Sequence, residues 1–498
     1  MFAPASAKNL KSIFLALFLG LQFCAGALAA GREVEVPDVQ FQPIQPTHAL
    51  TIKDAVEIAL RNYPEISAKV FKLRAAKANV KLAKTQYLPN LNLDLQESYI
   101  TPNRISSAVM NNVSGFDTVP VNSGPNNSSS TGRGNVNNLD GLNFNWLLID
   151  QGLRHANDDY AYADTRTARA DVNLTKLDVA FETSEAFLDA VLRKQVIIST
   201  TAAVEHMEAA NLRARTLVSQ GLRPGVDTAD WDYEVAKSRI ALIKAERDRR
   251  LSLVDLAEKA GIASSDIEIV SEPLIRRPTN ISGFSSGDLT SHPMALLKSA
   301  EIDRWRAKQK VLDKAYRPHL WLNASVWGLG GNDKSNVIKP VLSGFAPQVY
   351  DYMVGLTYSF PFMEYFPLKA QKEMARNNEL AAKSDFDLAM QVLEKKDARA
   401  RIELEQSRKI AEQTPILVDA ARVREIKVIK RYSTGLTNMV SLAEAEKALA
   451  SAQVEDAQAQ VEVWRAILHL AYIQGDLKPF LQIVTIAEGD MTSQSAGR

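Results

Sequence analysis

The chain has 498 residues, with 59 Lys+Arg against 58 Asp+Glu and a formal net charge of +1. That balance gives no electrostatic reason to bind nucleic acid or a strongly acidic partner. Aromatics make up only 7% of the residues, while Ala and Leu recur with Lys, Glu, Arg and Gln, the composition of long packed helices.

At the N-terminus, Lys8 and Lys11 precede an apolar run from Ile13 to Leu19, and the segment ends in Ala27-Leu28-Ala29-Ala30-Gly31. A basic start, a short apolar stretch and an A-x-A site describe a secretory signal over residues 1–30, cleaved near Ala29 or Ala30. The single cysteine, Cys24, follows Phe23, where a lipoprotein signal would carry a small residue. Cleavage leaves an exported chain without cysteine and therefore without disulfides. No later stretch approaches 18 consecutive apolar residues, which leaves a β-barrel as the route into a membrane.

Residues 31–50 read as an extended segment. The first unit starts at residue 51, and within it Tyr63-Pro64 opens a helical stretch ending at Tyr87-Leu88-Pro89. Two strands are expected, at 90–100 and 141–150, separated by an Asn/Ser/Gly-rich loop over 101–139. Leu91, Leu93 and Leu95 alternate with Asn92, Asp94 and Gln96, and Leu142, Phe144, Trp146 and Leu148 alternate with Asn143, Asn145 and Leu147. Arg154 to Gln220 then runs without proline, with Leu174, Leu177, Phe181, Leu188, Val191 and Ile198 at heptad-like spacing. A turn near Gly221 leads to a return helix for which Asp227 is the expected N-cap, ending at Ala260-Gly261. Residues 263–283 connect to a second passage through the same order.

In that passage His292-Pro293 opens a helix ending at Tyr316-Arg317-Pro318, and strands follow at 318–328 and 350–361. A second long helix turns near Gly435, and a return helix capped at Ser441, in the pattern Ser441-x-x-Glu444, ends at Gln474-Gly475. The offset between passages is 229 early (318−89) and 214 late (435−221), so the length difference falls between Pro89 and Gly221, in the long first loop. Residues 51–262 and 284–477 are thus two copies of one unit, with 478–498 as a C-terminal segment and polar tail.

Alternating strands with a polar face suit a wet-lumened barrel and equally a soluble sheet packed on one side. Four strands cannot close a barrel with a usable pore, and an open edge cannot face lipid, so a membrane location requires several chains.

The duplicated arrangement resembles the TolC-type outer-membrane efflux proteins. The resemblance rests on Leu50-Thr51-Ile52-x-Asp54-Ala55-Val56-x-x-Ala59-Leu60-x-Asn62-Tyr63-Pro64, the strand entries at Pro89 and Pro318, Asp150-Gln151-Gly152-Leu153-Arg154, and the two Gly-Leu turns. It implies an α+β membrane protein. Duplicated long helical hairpins would form a trimeric α-barrel in the periplasm, and four strands per chain would contribute to a twelve-stranded transmembrane β-barrel in the outer membrane. The connector 263–283 and the segment after 478 would form an equatorial belt around it. It further implies an export duct of a tripartite efflux or type I secretion system. The expected partners are two further copies, outer-membrane lipid, a periplasmic adaptor (membrane fusion protein) and an inner-membrane pump of the RND or ABC type.

Gln220, Gly221, Leu222, Thr434, Gly435 and Leu436 occupy the family's adaptor-facing tips, where Val-Gly-Leu is common; neither copy here keeps the Val. Family members often narrow the tip with acidic residues before the second turn. Residues 422–431 are instead mainly basic, which makes Arg424, Lys427, Lys430 and Arg431 the candidate gate and Glu425 its lone acid.

No enzyme signature is present: no P-loop, G-x-S-x-G, H-E-x-x-H or paired-cysteine pattern occurs, and Gly328-x-Gly330-Gly331 reads as a loop. No cofactor is expected. His48, His155, His206, His292, His319 and His469 never fall within four residues of one another, and they read as isolated structural or surface residues. The alternative is a trimeric, adhesin-like surface protein with a coiled-coil stalk and a barrel, although such proteins gather their strands at the C-terminus.

Overall fold

In the computed structural model, which describes residues 49–100, 135–221, 225–263, 266–278, 288–331, 347 and 349–495, helix α1 (Ile52–Asn62) starts from a capping box. The Thr51 hydroxyl accepts from the Asp54 N–H at 3.2 Å, and the Asp54 carboxylate accepts from the Thr51 N–H at 3.3 Å. Helix α2 (Pro64–Thr85) begins with Pro64, where a missing N–H costs nothing. Ala27, Ala29, Ala30, Leu222 and the loop 101–134 lie outside the described residues.

Strand β1 (Asn90–Ile100) starts directly after Pro89, and β2 covers Asn135–Ile149. Strand β2 therefore begins six residues before the expected 141 (141−135), inside the stretch read as loop. The reason is pairing: Asn135 lies opposite Ile100, and Asn137 and Asn138 have a partner on each side, Ser98 and Glu97 of β1 and Gly331 and Gly330 of β3. Helix α3 (Leu153–Ser219) has 67 residues and α4 (Val226–Ala260) has 35.

The second copy repeats the order with α5 (Pro293–Ala315), β3 (His319–Gly331) and β4 (Val349–Ser359). It continues through α6 (Tyr365–Ser433, 69 residues) and α7 (Met439–Ile473, 35 residues). At 1.5 Å per residue α3 and α6 are each about 100 Å long. The glycines expected in a loop at 328–331 close strand β3 instead. Helix α8 (Lys478–Ser495) likewise replaces part of the expected polar tail. Among the described residues no helix is long and apolar enough to cross a membrane.

The strands form one antiparallel sheet in the order β1-β2-β3-β4. Toward the sheet, α2, α3, α5 and α6 lie side by side in that order. Toward the other end, α4 and α7 take the places of α2 and α5, giving the order α4-α3-α7-α6.

Between these ends the main core forms a collar. Leu50 pairs with Ile269, donating to the Glu268 carbonyl at 2.7 Å and accepting from the Val270 N–H at 3.0 Å. Residues from α1, the 266–278 segment and α8 (Phe480, Val484) pack on Phe187, Leu188 and Val191 of α3 and on Trp464 and Ile467 of α7. The Trp464 indole N–H donates to the Arg276 carbonyl at 3.0 Å, which ties the connector to α7. Of the heptad positions, Leu174, Leu177, Leu188 and Val191 are buried and Phe181 is half-buried against the collar, whereas Ile198 is exposed. Ser184, which interrupts the apolar spacing, is buried with its hydroxyl donating to the Ala180 carbonyl at 2.8 Å.

The corner from β2 into α3 is fixed by Asp150. Its carboxylate accepts from the backbone N–H groups of Gly152 (3.1 Å) and Arg154 (2.6 Å) and from the Arg154 guanidinium at 3.0 Å. Arg154 in turn donates to the Leu148 carbonyl and stacks over Tyr87. A buried pair held by several hydrogen bonds sets the strand-to-helix angle.

Helix α6 runs unbroken through Pro415, a residue that removes a helical N–H and frees the carbonyl four positions earlier. That carbonyl, Ala411, accepts instead from the Gln460 side chain of α7 at 3.4 Å. Gln460 also donates to Asp456 at 3.2 Å, and Asp456 accepts from the Thr414 hydroxyl at 2.7 Å. A side chain on one helix thus repairs the backbone of its neighbour. Replacing Gln460 with Leu is expected to leave a buried carbonyl unsatisfied and to destabilise the α6–α7 pair by about 1–3 kcal/mol. A lowered thermal midpoint in circular dichroism, restored by adding Pro415→Ala, checks this.

Candidate functional site

Three features of the unit face outward with unusual chemistry: the sheet, the two helical flanks and the two hairpin tips. On the sheet the usual polarity is inverted. Leu91, Leu93 and Leu95 of β1 are exposed, as are Tyr352, Val354, Leu356 and Tyr358 of β4, with Tyr352 at 76% and Leu95 at 69%. The polar residues turn the other way. Asn143 (0%) and Ser325 (6%) are buried on the concealed face.

There they form a network across strands. Asn143 donates to Asp94 at 2.6 Å and accepts from the Ser325 hydroxyl at 2.7 Å. Asn323 donates to Thr357 at 2.7 Å on the same face, whereas Asn138, which donates to Glu97 at 2.5 Å and to Asp140 at 3.0 Å, shares its face with Leu95 and Leu142. A soluble sheet would put its leucines inside; this one puts them where a hydrocarbon phase would be. Among the described residues both outer strands, β1 and β4, have a free edge.

The helical flanks show the same incompleteness. Helix α4 exposes Val226 (62%), Tyr233 (64%) and Ile240 (54%) at seven-residue intervals. Helix α6, on the opposite flank, exposes Leu388 (60%), Ile402 (60%) and Ile416 (62%) at multiples of seven. Such stripes are seams for further helices.

At the far end, α3 and α6 each finish on a glycine in the left-handed region, Gly221 at φ 71° and Gly435 at φ 77°. This conformation costs a glycine little and other residues more. At the second tip the Gly435 N–H donates to Tyr432 and the Leu436 N–H to Arg431 at 2.9 Å, closing the last turn of α6. Gln220, Gly221, Thr434, Gly435 and Leu436 are all exposed, Leu436 at 70%. Behind them a small core joins both hairpins: Met207, Ala210 and Ala214 of α3, Trp231 and Val235 of α4, Tyr432 of α6, and Met439 and Leu442 of α7. Trp231 and Tyr432 meet edge to face at 6.4 Å.

Two expected caps are corrected here. Helix α7 starts at Met439, with Asn438 as its N-cap; the Asn438 carboxamide accepts from the Ser441 N–H at 3.0 Å, so Ser441 is the capped residue. Burial of Met439 and Leu442 in the tip core draws the helix start back to that point. Helix α4 starts at Val226 after Gly225, which places Asp227 inside the first turn.

In the basic stretch Arg424, Lys427, Lys430 and Arg431 are exposed. By helical spacing Arg424, Lys427 and Arg431 share one face (i, i+3, i+7), while Lys430 lies beside the exposed Val423 and Ile426. Glu425 belongs to neither face. It is buried, and its carboxylate sits 3.3 Å from His206 Nδ1 of α3, which also lies 3.0 Å from Glu446 of α7. Burial, reinforced by the neighbouring Glu425 carboxylate, pushes Glu446 above its ordinary value against the opposing pull of His206. His206 is therefore not an isolated histidine. The three residues lie on three helices, 240 positions apart at the extremes, so no local spacing could reveal them.

Residues 55–261 match the model of a family described as Outer membrane efflux protein. No curated protein matches the chain in sequence. Among solved structures, the Campylobacter jejuni CmeC outer membrane channel is similar at 14% identity and a TM-score of 0.70, covering 85% of this chain and 85% of that one. The Vibrio cholerae outer membrane protein VceC is similar at 14% identity and 0.67, covering 85% and 96%. The open state of the Neisseria gonorrhoeae MtrE outer membrane channel is similar at 15% identity and 0.65, covering 85% and 89%. At such identities the likeness is one of fold.

The inverted sheet makes a face-specific prediction. Val354→Lys on the apolar face is expected to cost about 2–4 kcal/mol in hydrocarbon and to deplete folded protein from membranes. Met353→Lys, on the opposite face, is expected to fold. Equal yields of the two variants in isolated membranes would place the apolar face in water.

Proposed function

We propose that the chain, whose residues 55–261 match the model of a family described as Outer membrane efflux protein, is the outer-membrane duct of a tripartite export system, working as a trimer. The observation that carries the reading is the sheet with apolar side chains outside, a hydrogen-bonded polar face within, and two free edges. In a bilayer each edge must pair, because hydrocarbon offers no partner for backbone N–H and C=O groups. Three copies joined β4 to β1 give twelve strands and a wet lumen. The same operation lays the exposed stripe of α6 against that of α4 in the next copy, burying both seams and extending the lumen through the helices.

In this reading the duct carries out no chemistry of its own. Cargo, whether a small molecule or a polypeptide, is delivered by an inner-membrane pump, and the helical end of the duct controls passage. Gln220, Gly221, Leu222, Thr434, Gly435 and Leu436 are the docking tips for a periplasmic adaptor. Exposed Leu436, held on a closed helix end, offers an apolar contact already fixed in place. Opening is a change in packing between the first and second hairpins, biased by adaptor contacts that favour the open arrangement.

Arg424, Lys427, Lys430 and Arg431 form the gate of this reading. Threefold symmetry triples each charge, and a positively lined constriction favours anions. Replacing the four with Gln is expected to reduce anion preference in single-channel recordings. Unchanged selectivity would return them to the outer face of the helices.

Photo-crosslinking from Leu222 and Leu436 in intact cells, with captured proteins identified by mass, tests the docking assignment. Capture of a periplasmic adaptor is the expected result. Folded membrane trimers that capture no adaptor from either position would overturn it.

A further inference from the structure

Behind the second tip, three helices from both hairpins converge on a buried cluster that the duct reading does not use. Glu425 of α6 and Glu446 of α7 are only 7% and 6% exposed. Among the described residues no Lys or Arg pairs with either: the neighbouring Lys447 turns to Glu234, and the arginines and lysines flanking Glu425 are exposed. Their shared partner is His206 of α3, whose side chain is 45% exposed. Two carboxylates withdrawn from water repel one another, and a single imidazole can offset at most one of the two charges.

The geometry points to a different compensation: we infer that His206, Glu425 and Glu446 bind a divalent first-row transition cation, with Zn2+ the best-fitting probe. One ligand atom from each residue lies within 4.8 Å of the other two, and this is the one such group among the described residues. The Nδ1 atom faces both carboxylates, at 3.0 Å from Glu446 and 3.3 Å from Glu425. Ligands held at about 2.0–2.2 Å around a tetrahedral ion are about 3.3–3.6 Å from one another, so these separations need little adjustment. An imidazole with two carboxylates suits zinc, cobalt or manganese better than calcium, which takes oxygen ligands.

The half-exposed imidazole leaves one side open to water, which supplies an entry path and a fourth ligand. Met207, next to His206 in α3, and Leu442 and Ala443, one turn before Glu446 in α7, belong to the apolar core behind the tip, and a low-polarity setting strengthens the attraction between ion and carboxylates. The site is complete within one chain and does not depend on the duct reading. Its position gives it a consequence. The ion would tie α3 of the first hairpin to α6 and α7 of the second, so separating the hairpins would require breaking metal–ligand bonds.

The test uses the full-length protein in detergent, stripped with a chelator and titrated with Zn2+ in a calorimeter. One Zn2+ per chain with a micromolar or tighter Kd is expected, accompanied by a rise in Tm. His206→Ala is expected to weaken binding at least tenfold, and Glu425→Gln with Glu446→Gln to abolish both uptake and the rise in Tm. Co2+ in place of Zn2+ should give visible d–d absorption that the double variant lacks. Equal uptake by the wild type and the double variant would assign the zinc to other histidines and overturn the proposal. No uptake by the wild type would overturn it too, leaving a proton-sharing cluster. Should the double variant fail to fold, His206→Ala decides, since a half-exposed side chain is dispensable for folding.

Discussion

A backbone amide surrounded by hydrocarbon has nothing to bond with except another strand, and the rest of this structure follows from that constraint. Strands β1 and β4 carry leucines, tyrosines and Val354 outward while Asn143 and Ser325 are buried inward, so the sheet is stable only where the outside is not water. Its free edges, at β1 and β4, then have no acceptable end state except one another. The helices obey the same geometry with different chemistry. Their exposed stripes on α4 and α6 lie on the two flanks of the row, as the free strands lie on the two edges of the sheet. Strand and helix therefore require the same neighbour in the same place.

Duplication makes this economical. Each copy supplies one long helix, and a shorter helix on either side of the collar completes a row of four at both ends. The paired lengths are close: 67 and 69 residues for α3 and α6, and 35 residues for both α4 and α7. The copies diverge in detail at two levels. The α6–α7 pair contains Pro415 and the side chain that repairs it. Just behind the tip, α6 and α7 also contribute the two buried carboxylates that meet His206. The second hairpin thus adds polar contacts to the apolar packing that Trp464 and Ile467 make in the collar with Phe187, Leu188 and Val191 of α3.

Much of this was legible in the sequence because it is local. Pro89 and Pro318 stand immediately before β1 and β3, since proline suits a strand entry and ends a helix. Gly221 and Gly435 mark the tips because only a residue without Cβ takes the left-handed turn cheaply. What failed was decided by contacts across the chain. Ser441-x-x-Glu444 looked like a cap, but Asn438 fits the same role and the buried Met439 selects it. Asn135–Asn138 looked like loop until its partners on β1 and β3 were present. The alternation of the strands gave the two faces correctly but not which one meets the outside. The His206 cluster, spread over three helices, left no local pattern at all.

The unpaired edges also bear on what stability can mean for such a chain. An isolated copy leaves a strand edge open at each side and two apolar seams in water, so its folded form is poor in free energy until partners arrive. Completion of the ring is then governed by mass action, with a rate and an extent that rise steeply with the density of chains in the membrane. A newly exported copy is most vulnerable to proteolysis and mispairing when few others are present. For this protein, abundance is itself a folding variable: a weak promoter or a slow export step would act on the native structure as a destabilising mutation does.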